Sequence, residues 1–288
     1  MPKDIDQESK PAPNAPVVRL MVLETDEPHP ATQDERGSFG QILHQHFAQT
    51  GAAHDPPLGI ETDQVYVVGD RGGRMPAVAE FDGFDGVLVT GSRASADGDE
   101  PWIRELLGLL RELWTRRPSD LVFIGVCFGH QLLARLLGAE IRTSPSRDWE
   151  LGHCAIALSP VGQRLFRTGD AAHVYLHQMH QDQVAAAPPH NELCEGDVQV
   201  WGCSAHTPVQ GLYVANRLFT TQAHLAFDRA MVGRQIAMRV ESGGITDRAH
   251  ADRAAETAHL EHDGDVVAAA ILRMFHFGDD GAEGKEMC

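Results

Sequence analysis

The sequence has very few lysines, an odd number of cysteines, few aromatic residues and no long apolar run. Lysine occurs only at Lys3, Lys10 and Lys285, near the ends of the chain, so a catalytic Schiff-base lysine is not expected. The 5 cysteines do not suit a disulfide framework, which favours a reducing, cytoplasmic location. No run approaches the roughly 18 apolar residues that a membrane-spanning helix needs, so no membrane association is expected.

Acidic residues outnumber basic ones, 41 against 24, which gives a net charge of −17. A surface of that sign repels a phosphate backbone, so nucleic acid is not an expected partner. Residues 1–15 are polar and contain three prolines, which predicts a disordered segment rather than a signal peptide. His173, His177 and His180 have no completing cysteine for a zinc site, and no cofactor or metal is expected.

Strands and helices alternate through the first half of the chain. Continuous apolar runs at 17–23, 86–91 and 121–126 have the length of buried strands, and 63–69 is a further strand. Helical spacing follows Ser38 and Pro101. This order predicts an α/β fold with a doubly wound, mostly parallel sheet in a flavodoxin-like three-layer sandwich.

The later part of the chain changes character. Between 152 and 222 several short strand patterns follow one another, which predicts an antiparallel extension of the same sheet. Two helices are expected near 228–240 and 264–275. We therefore predict a disordered segment over 1–15, one catalytic domain over 16–245, and a helical extension over 246–288 that packs on that domain and ends in a polar tail.

The most informative segment joins a buried strand to a helix through Gly125-Val126-Cys127-Phe128-Gly129. Glycines two residues before and after a central residue are typical of a nucleophile elbow, because side chains there would collide in so tight a turn. Cys127 then lies at the strand's carboxyl end and at a helix N-terminus, which favours a thiolate. The alternative is a small buried cysteine without chemistry.

The segment GVCFGHQ (125–131) resembles the nucleophile motif of class I, triad-type glutamine amidotransferases. TGSR (90–93), ELG (150–152), HQDQV (180–184) and TTQAH (220–224) resemble further family motifs in the same order. The closing helices resemble those of stand-alone members, including the γ-glutamyl peptidases. The resemblance implies that Cys127 attacks a γ-glutamyl carbonyl to form a thioester, with His224 as the base that later protonates the leaving nitrogen.

Further roles follow from the same resemblance. The N–H groups of Gly91 and Phe128 would hold the oxyanion, although Gly91 alone also suits a simple turn. Gln131, with the backbone near Met179–Gln181, which includes His180 and Gln181, would bind the glutamyl head. Arg93 is a candidate for a substrate carboxylate or an ordinary surface arginine.

The sequence departs from the family pattern at the catalytic acid. The His-Pro-Glu motif is His224-Leu225-Ala226 here, so the carboxylate that orients the imidazole is missing. Three interpretations stay open: Asp228 supplies the acid unless it caps a helix, a backbone carbonyl or water orients a Cys–His dyad, or hydrolysis is lost. Gln181, where the family has glycine, indicates a substrate other than free glutamine by narrowing the amine-leaving side.

Two functions compete on these residues. The first is an amidohydrolase that cleaves a small γ-glutamyl substrate, either glutamine or a γ-glutamyl peptide or conjugate. The second is a catalytically weakened binding or regulatory subunit that works with a partner synthase. A cysteine-type α/β-hydrolase is disfavoured by the residues Gly129-His130-Gln131 that follow the elbow.

Overall fold

The computed structural model describes residues 5–117, 120–193 and 198–276. The strands in this part of the chain are β1 (Gln7–Ser9), β2 (Val17–Glu24), β3 (Gly59–Tyr66), β4 (Gly86–Val89), β5 (Val122–Val126), β6 (Ile141–Thr143), β7 (Glu150–Leu158), β8 (His173–His180), β9 (Asp182–Val184), β10 (Gln199–Cys203), β11 (Gly211–Val214) and β12 (Leu218–Thr221). The α-helices are α1 (Pro30–Arg36), α2 (Phe39–Ala52), α3 (Pro101–Arg116), α4 (Phe128–Leu136), α5 (Pro160–Phe166), α6 (Arg229–Glu241), α7 (Arg248–Glu256) and α8 (Gly264–His276). Short 3-10 turns lie at Gly69–Arg71, Val78–Phe81 and Thr257–His259.

One ten-stranded sheet runs through the molecule in the order β1-β3-β2-β4-β5-β12-β11-β10-β7-β8. The five strands from β3 to β12 are parallel to their neighbours, and the remaining pairs at both sides are antiparallel. β6 and β9 form a separate antiparallel pair. The predicted α/β class, with a mostly parallel sheet and an antiparallel extension, is confirmed.

The sheet is covered by helices on both faces, and successive side chains of its central strands pack alternately against the two helical layers. In β2, Met21 and Leu23 pack with the apolar faces of α3 and α4, whereas Leu20 and Val22 pack with α2, α5 and α8 on the opposite side. Since successive side chains of a strand point to opposite faces, a strand covered on both sides must be apolar throughout. This accounts for the continuous hydrophobic runs in the sequence.

Three expectations need correction. Within the segment expected to be disordered, residues 7–9 form β1, which pairs antiparallel with β3 and is itself the edge strand of the sheet. β12 belongs to the parallel part of the sheet, because it lies beside β5 in the same direction. The strand expected at 63–69 begins earlier, at Gly59, because residues 59–62 pair with β2 although two of them are polar.

The closing helices pack on the sheet and its carboxyl edge. α8 contributes Val267, Ile271 and Leu272 to the core on the α2 side, and α7 packs with α6 through Ala251 and Ala254. The division of the chain at residue 245 stays a prediction. Residues 1–4 and the polar tail over 277–288 lie outside the described residues. Within the described residues, every helix is too short or too polar to cross a bilayer.

Candidate active site

Three adjacent parallel strands bring the predicted catalytic groups together. β4, β5 and β12 lie side by side, and Gly91, Cys127 and His224 each follow the carboxyl end of one of them. A Cβ added at Gly91 would lie 3.1 Å from Cε1 of His224 and 3.5 Å from Cβ of Cys127. The side chains of Cys127 and His224 therefore lie on either side of Gly91. The distance from Cε1 of His224 to Cβ of Cys127 cannot exceed the sum of those two distances.

The turn at Cys127 has a strained backbone and closely packed glycines on both sides. Its φ of 54° and ψ of −106° lie in a region that L-residues rarely adopt, and such strain is concentrated at functional sites. A Cβ at Gly125 would lie 2.6 Å from the backbone of Gly129, and one at Gly129 would lie 2.2 Å from the carbonyl oxygen of Val89. Both glycines are therefore required by close backbone approach, as the sequence pattern predicted.

The electrostatics at Cys127 differ from the sequence-based expectation. The side chain is 6% exposed, and burial raises the pKa of its thiol to about 12. The N–H of Phe128, the guanidinium of Arg239 and the carboxamide of Gln222 act in the opposite direction, but they do not outweigh burial. The expectation that the helix N-terminus yields a resting thiolate was therefore wrong, because desolvation is the larger effect.

The ring of His224 is held by an aromatic neighbour. It stacks on Phe227 with ring centroids 3.9 Å apart and planes 13° apart, and its backbone N–H donates to the carbonyl of His177. Burial lowers the pKa of His224 to about 3, so the imidazole is neutral at pH 7. Among the residues that the structure describes, no carboxylate bonds to this ring.

Asp228, the candidate substitute acid, serves another purpose. It is the N-cap of α6, where one carboxylate oxygen accepts the N–H of Met231 at 2.9 Å. Its other oxygen accepts from Arg36. Because both oxygens are engaged away from His224, the prediction of Asp228 as the catalytic acid was wrong.

The two predicted oxyanion donors, Phe128 and Gly91, both lie next to the predicted catalytic side chains. The N–H of Phe128 faces the Cys127 sulfur, and Gly91 lies so close to His224 that a side chain there would press on the imidazole. A side chain at Gly91 would therefore crowd the ring of His224, and both the oxyanion role and the simple turn stay open for this glycine. The function of Phe128 and Gly91 as oxyanion donors stays a prediction.

Two buried carboxamides, those of Gln131 and Gln222, lie next to Cys127. Nε2 of Gln131 donates to the carbonyl of Asp182 at 2.7 Å and to Oε1 of Gln222 at 3.0 Å. This fixes the amide of Gln222, a side chain that lowers the pKa of the Cys127 thiol against the larger effect of burial. Gln131 thus positions a neighbour of Cys127 in addition to lining the site.

The predicted binding residues His180 and Gln181 are used mainly to hold their loop. The ring of His180 bonds to Glu150 Oε2 and to the Asp182 carbonyl, both at 2.9 Å. The side chain of Gln181 donates to the carbonyl of Arg147. Both ring nitrogens of His180 are therefore engaged within the protein, and substrate binding by the backbone around this residue stays a prediction.

One group of donor side chains resembles a metal site in composition. Ligand atoms of Glu150, His180 and His206 lie within 4.8 Å of one another. However, Glu150 Oε2 already accepts from His180, Thr207 and Gln210 at 2.8 to 2.9 Å. These bonds satisfy a buried carboxylate, and we assign no metal to the group.

Cys127 opens into two cavities with different linings. The first, which we call the apolar cavity, has an empty volume of about 660 Å³ and is bordered by His224 and by the apolar residues Phe39, Ile42, Leu43, Ala226 and Phe227. The charged side chains of Asp26, Glu27, Arg93 and Arg239 border it as well. The second, the polar cavity, has about 670 Å³ and is bordered by Gln131, Trp149, His180, Gln181 and Asp182. Gln181 borders the polar cavity and His224 the apolar one, and the effect of Gln181 on the amine-leaving side stays a prediction.

Sequence reasoning missed three residues of this site: Gln222, Phe227 and Arg239. Gln222 belongs to the TTQAH segment, so its position next to His224 in the chain was an available signal. Phe227 and Arg239 carry no motif, since only the fold brings their side chains to Cys127.

Comparison with known proteins gives a consistent set of relatives, although no family model matches the chain. A Saccharomyces cerevisiae protein named as a glutamine amidotransferase is 30% identical over 195 residues, 67% of this chain and 72% of that protein. A glutamine amidotransferase-like protein of Schizosaccharomyces pombe is 23% identical over 254 residues, 88% and 97% of the two chains. Gamma-glutamyl peptidase 3 of Arabidopsis thaliana is 27% identical over 207 residues, 70% and 78%.

Two further matches concern the fold alone or only a part of the chain. A glutamine amidotransferase of Thermotoga maritima has the same fold, with a TM-score of 0.61 at 17% identity over 90% of this chain and 98% of that one. A glutamine-hydrolyzing GMP synthase of Aeropyrum pernix is 27% identical over 113 residues, 39% of this chain and 20% of that protein.

Proposed function

Because the chain belongs to the class I glutamine amidotransferase family, we propose that it is an amidohydrolase that cleaves a γ-glutamyl C–N bond through a thioester on Cys127. The observation that carries the proposal is the convergence of a strained cysteine, a neutral histidine and a side-chain-free glycine at one sheet edge. Each group suits one requirement of acyl transfer: a nucleophile, a base and space for an oxyanion.

The resting protonation states determine how the first step proceeds. With a neutral thiol and a neutral imidazole, His224 removes the Cys127 proton as the sulfur attacks the γ-carbonyl. The carbonyl oxygen gains the negative charge, which the N–H groups of Phe128 and Gly91 stabilise. His224 then gives its proton to the leaving nitrogen, the C–N bond breaks, and a γ-glutamyl thioester and a free amine result.

The second step returns the enzyme to its starting state. His224, again neutral, removes a proton from water as the water oxygen attacks the thioester carbonyl. The C–S bond breaks, the sulfur recovers a proton from His224, and glutamate leaves, its new γ-carboxyl group releasing the remaining proton of the water to solvent. Stacking on Phe227 keeps the ring plane constant through both steps, in place of an orienting carboxylate.

The lining of the apolar cavity supports an amine larger than ammonia. His224 borders this cavity, so the nitrogen that it protonates leaves on this side. Ala226 stands there in place of a carboxylate, next to Phe39 and Phe227, whose rings are stacked 6.4 Å apart. Such a surface favours a γ-glutamyl peptide or conjugate with an apolar amine portion over free glutamine.

A substrate screen with a covalent label tests the proposal. Purified protein is incubated with glutamine, glutathione and γ-glutamyl amides of increasing apolar size, and glutamate release is measured. We expect release from the larger amides, its loss in Cys127→Ala, and one γ-glutamyl-type adduct from an electrophilic glutamine analogue. Cys203→Ala is the matched control, since Cys203 is an exposed free thiol remote from the site.

The alternative is a weakened subunit that binds a γ-glutamyl ligand for a partner synthase. Ala226 and the raised pKa of Cys127 favour it over an efficient enzyme. Under this alternative neither glutamate release nor a covalent adduct at Cys127 is observed, while a γ-glutamyl ligand still binds. That pair of results would overturn the hydrolase proposal.

A further inference from the structure

Arg239 is a half-buried cation in the wall that the two cavities share. It lies on α6 one turn after Gln235 and two turns after Val232, so it projects from the inward face of the helix. Its guanidinium lies over the ring of Trp149, 5.3 Å from the centroid. Both cavities that contain Cys127 also contain Arg239.

This guanidinium lacks the counter-ion that its neighbours possess. Arg93 and Arg71 share the carboxylate of Asp26, and Arg234 on the same helix pairs with Glu35. Among the described residues, no carboxylate lies within ion-pair distance of Arg239. Burial lowers the pKa of Arg239, which is the expected cost of a desolvated cation without a partner.

We propose that Arg239 binds the α-carboxylate of the γ-glutamyl group and so selects substrates by their glutamyl head. The inference rests on the proposed function and names the residue that confers this specificity. A guanidinium matches a carboxylate with two parallel hydrogen bonds, and stacking on Trp149 holds its plane. Arg93 is unsuited to the role because its Nε and Nη2 both donate to Asp26 at 2.8 Å.

The position of Arg239 also fits the dimensions of the head group. In a γ-glutamyl group three carbons separate the reacting carbonyl from the α-carboxylate, so both must lie in one small site. Arg239 and Cys127 border the same polar cavity, with Gln131 between the nucleophile and the loop at Asp182. The cation thus lies on the head-group side as well as beside the sulfur.

Binding to the Cys127→Ala protein tests the inference without relying on turnover. The probes are γ-L-glutamyl-4-nitroanilide and 4-aminobutyryl-4-nitroanilide, which differ only by the α-carboxylate, and binding is measured by isothermal titration calorimetry. We expect the first to bind about 10- to 100-fold more tightly, the usual range for a charge-assisted pair. Adding Arg239→Gln reduces this preference to less than about threefold, and Arg239→Lys restores part of it.

Arg234→Gln is the matched control, since Arg234 lies on the same helix but pairs with Glu35, and it should keep the full preference. A carboxylate preference that survives Arg239→Gln in a protein of unchanged melting temperature overturns the inference. So does the absence of binding of either probe at millimolar concentration.

Two further results separate the inference from its premise. If Arg239→Gln weakens γ-glutamylglycine but leaves the nitroanilide pair unaffected, the residue binds a carboxylate of the amine portion, and the assignment to the glutamyl head is wrong. If wild-type protein hydrolyses no γ-glutamyl compound while Cys127→Ala binds through Arg239, the hydrolase proposal fails and the inference stands.

Discussion

At the scale of single residues, the unusual feature is an imidazole positioned by stacking rather than by a carboxylate. Phe227 fixes the ring plane of His224, but it cannot stabilise a positive charge as an anion would. Ala226 leaves that place to an apolar surface. The ring of His224, the proposed base, therefore has a fixed orientation. It lacks an anion that would favour its accepting a proton from Cys127.

Restoring the missing acid should accelerate hydrolysis. In Ala226→Glu a carboxylate near His224 would favour the imidazolium that forms during attack, and we expect kcat to rise about tenfold. The measurement is glutamate release under substrate saturation. Ala226→Gln has the same size without the charge and should not raise kcat. An equal rise in both variants would show that shape, not charge, limits the dyad.

The role of Asp228 is separable by two substitutions. Asparagine is as good an N-cap as aspartate, so Asp228→Asn should keep kcat and most of the stability. Asp228→Ala loses the bond to Met231 and should lower the free energy of unfolding by about 1 kcal/mol. Urea unfolding and steady-state kinetics give both quantities. A large loss of kcat in Asp228→Asn with normal stability would return Asp228 to a catalytic role.

The protonation states predict an unusually broad pH profile. Because the pKa of His224 is lowered to about 3 and that of Cys127 is raised to about 12, both groups stay neutral over the ordinary range. We expect kcat/KM to be nearly constant between about pH 5 and about pH 9. Alkylation of Cys127 by iodoacetamide should increase with pH across this range without a plateau. A plateau near neutral pH would instead indicate a preformed thiolate–imidazolium pair.

At the scale of elements, the junction of β5 and α4 tolerates no added volume. In Gly129→Ala the new methyl group would approach the Val89 carbonyl, so β4 or α4 must shift, and we expect a loss of about 2–4 kcal/mol in the free energy of unfolding. Gly108→Ala in α3 is the control: no atom lies within 4 Å of that Cβ, and alanine should stabilise the helix by up to about 1 kcal/mol. Chemical denaturation measures both. Equal effects would contradict the steric account.

The elements that could be predicted are those in which buried positions carry apolar residues or glycines in a recognisable pattern. β2, β4 and β5 are apolar on both faces, and the glycines of the elbow are fixed by backbone contact. β1 could not be predicted, since its residues QES are polar and its stability comes from backbone pairing with β3. α5 begins at a serine N-cap followed by proline, a signal that is easily overlooked in so short a helix.

At the scale of the whole molecule, the site is built from segments far apart in the chain. The proximity of Cys127 and His224, the proposed nucleophile and base, could be inferred because each follows a strand in a recognisable motif. The stacking of Phe227 and the placement of Arg239 depend on how α6 packs against the carboxyl edge of the sheet. No local pattern encodes that packing, so the residue proposed to select the substrate was not predictable together with the proposed catalytic pair.

Buried neutral histidines make the entire fold sensitive to acid. Burial lowers the pKa of His130 and His224 to about 3 and that of His177 to about 4, against 6.5 in an unfolded chain. At a pH between the folded and the unfolded pKa of these histidines, the unfolded state binds more protons than the folded state. Their contribution to the free energy of unfolding is therefore fully present above about pH 6.5 and is lost as the pH decreases. The pKa of Asp26 is lowered to about 2, so the contribution of Asp26 to the free energy of unfolding is lost only below about pH 4. Asp26 therefore does not affect the stability between about pH 7.5 and about pH 5.

We therefore expect the melting temperature to drop by roughly 10 °C between pH 7.5 and pH 5, since each of the three histidines costs about 2 kcal/mol at pH 5. Differential scanning calorimetry at fixed ionic strength measures the drop. His177→Gln removes one titrating ring whose Nδ1 has no hydrogen-bond partner, and it should make the pH dependence shallower by about one proton. A melting temperature that stays constant over this range would mean that these rings are protonated in the folded state, and the neutral base assigned to the catalytic step would then be untenable.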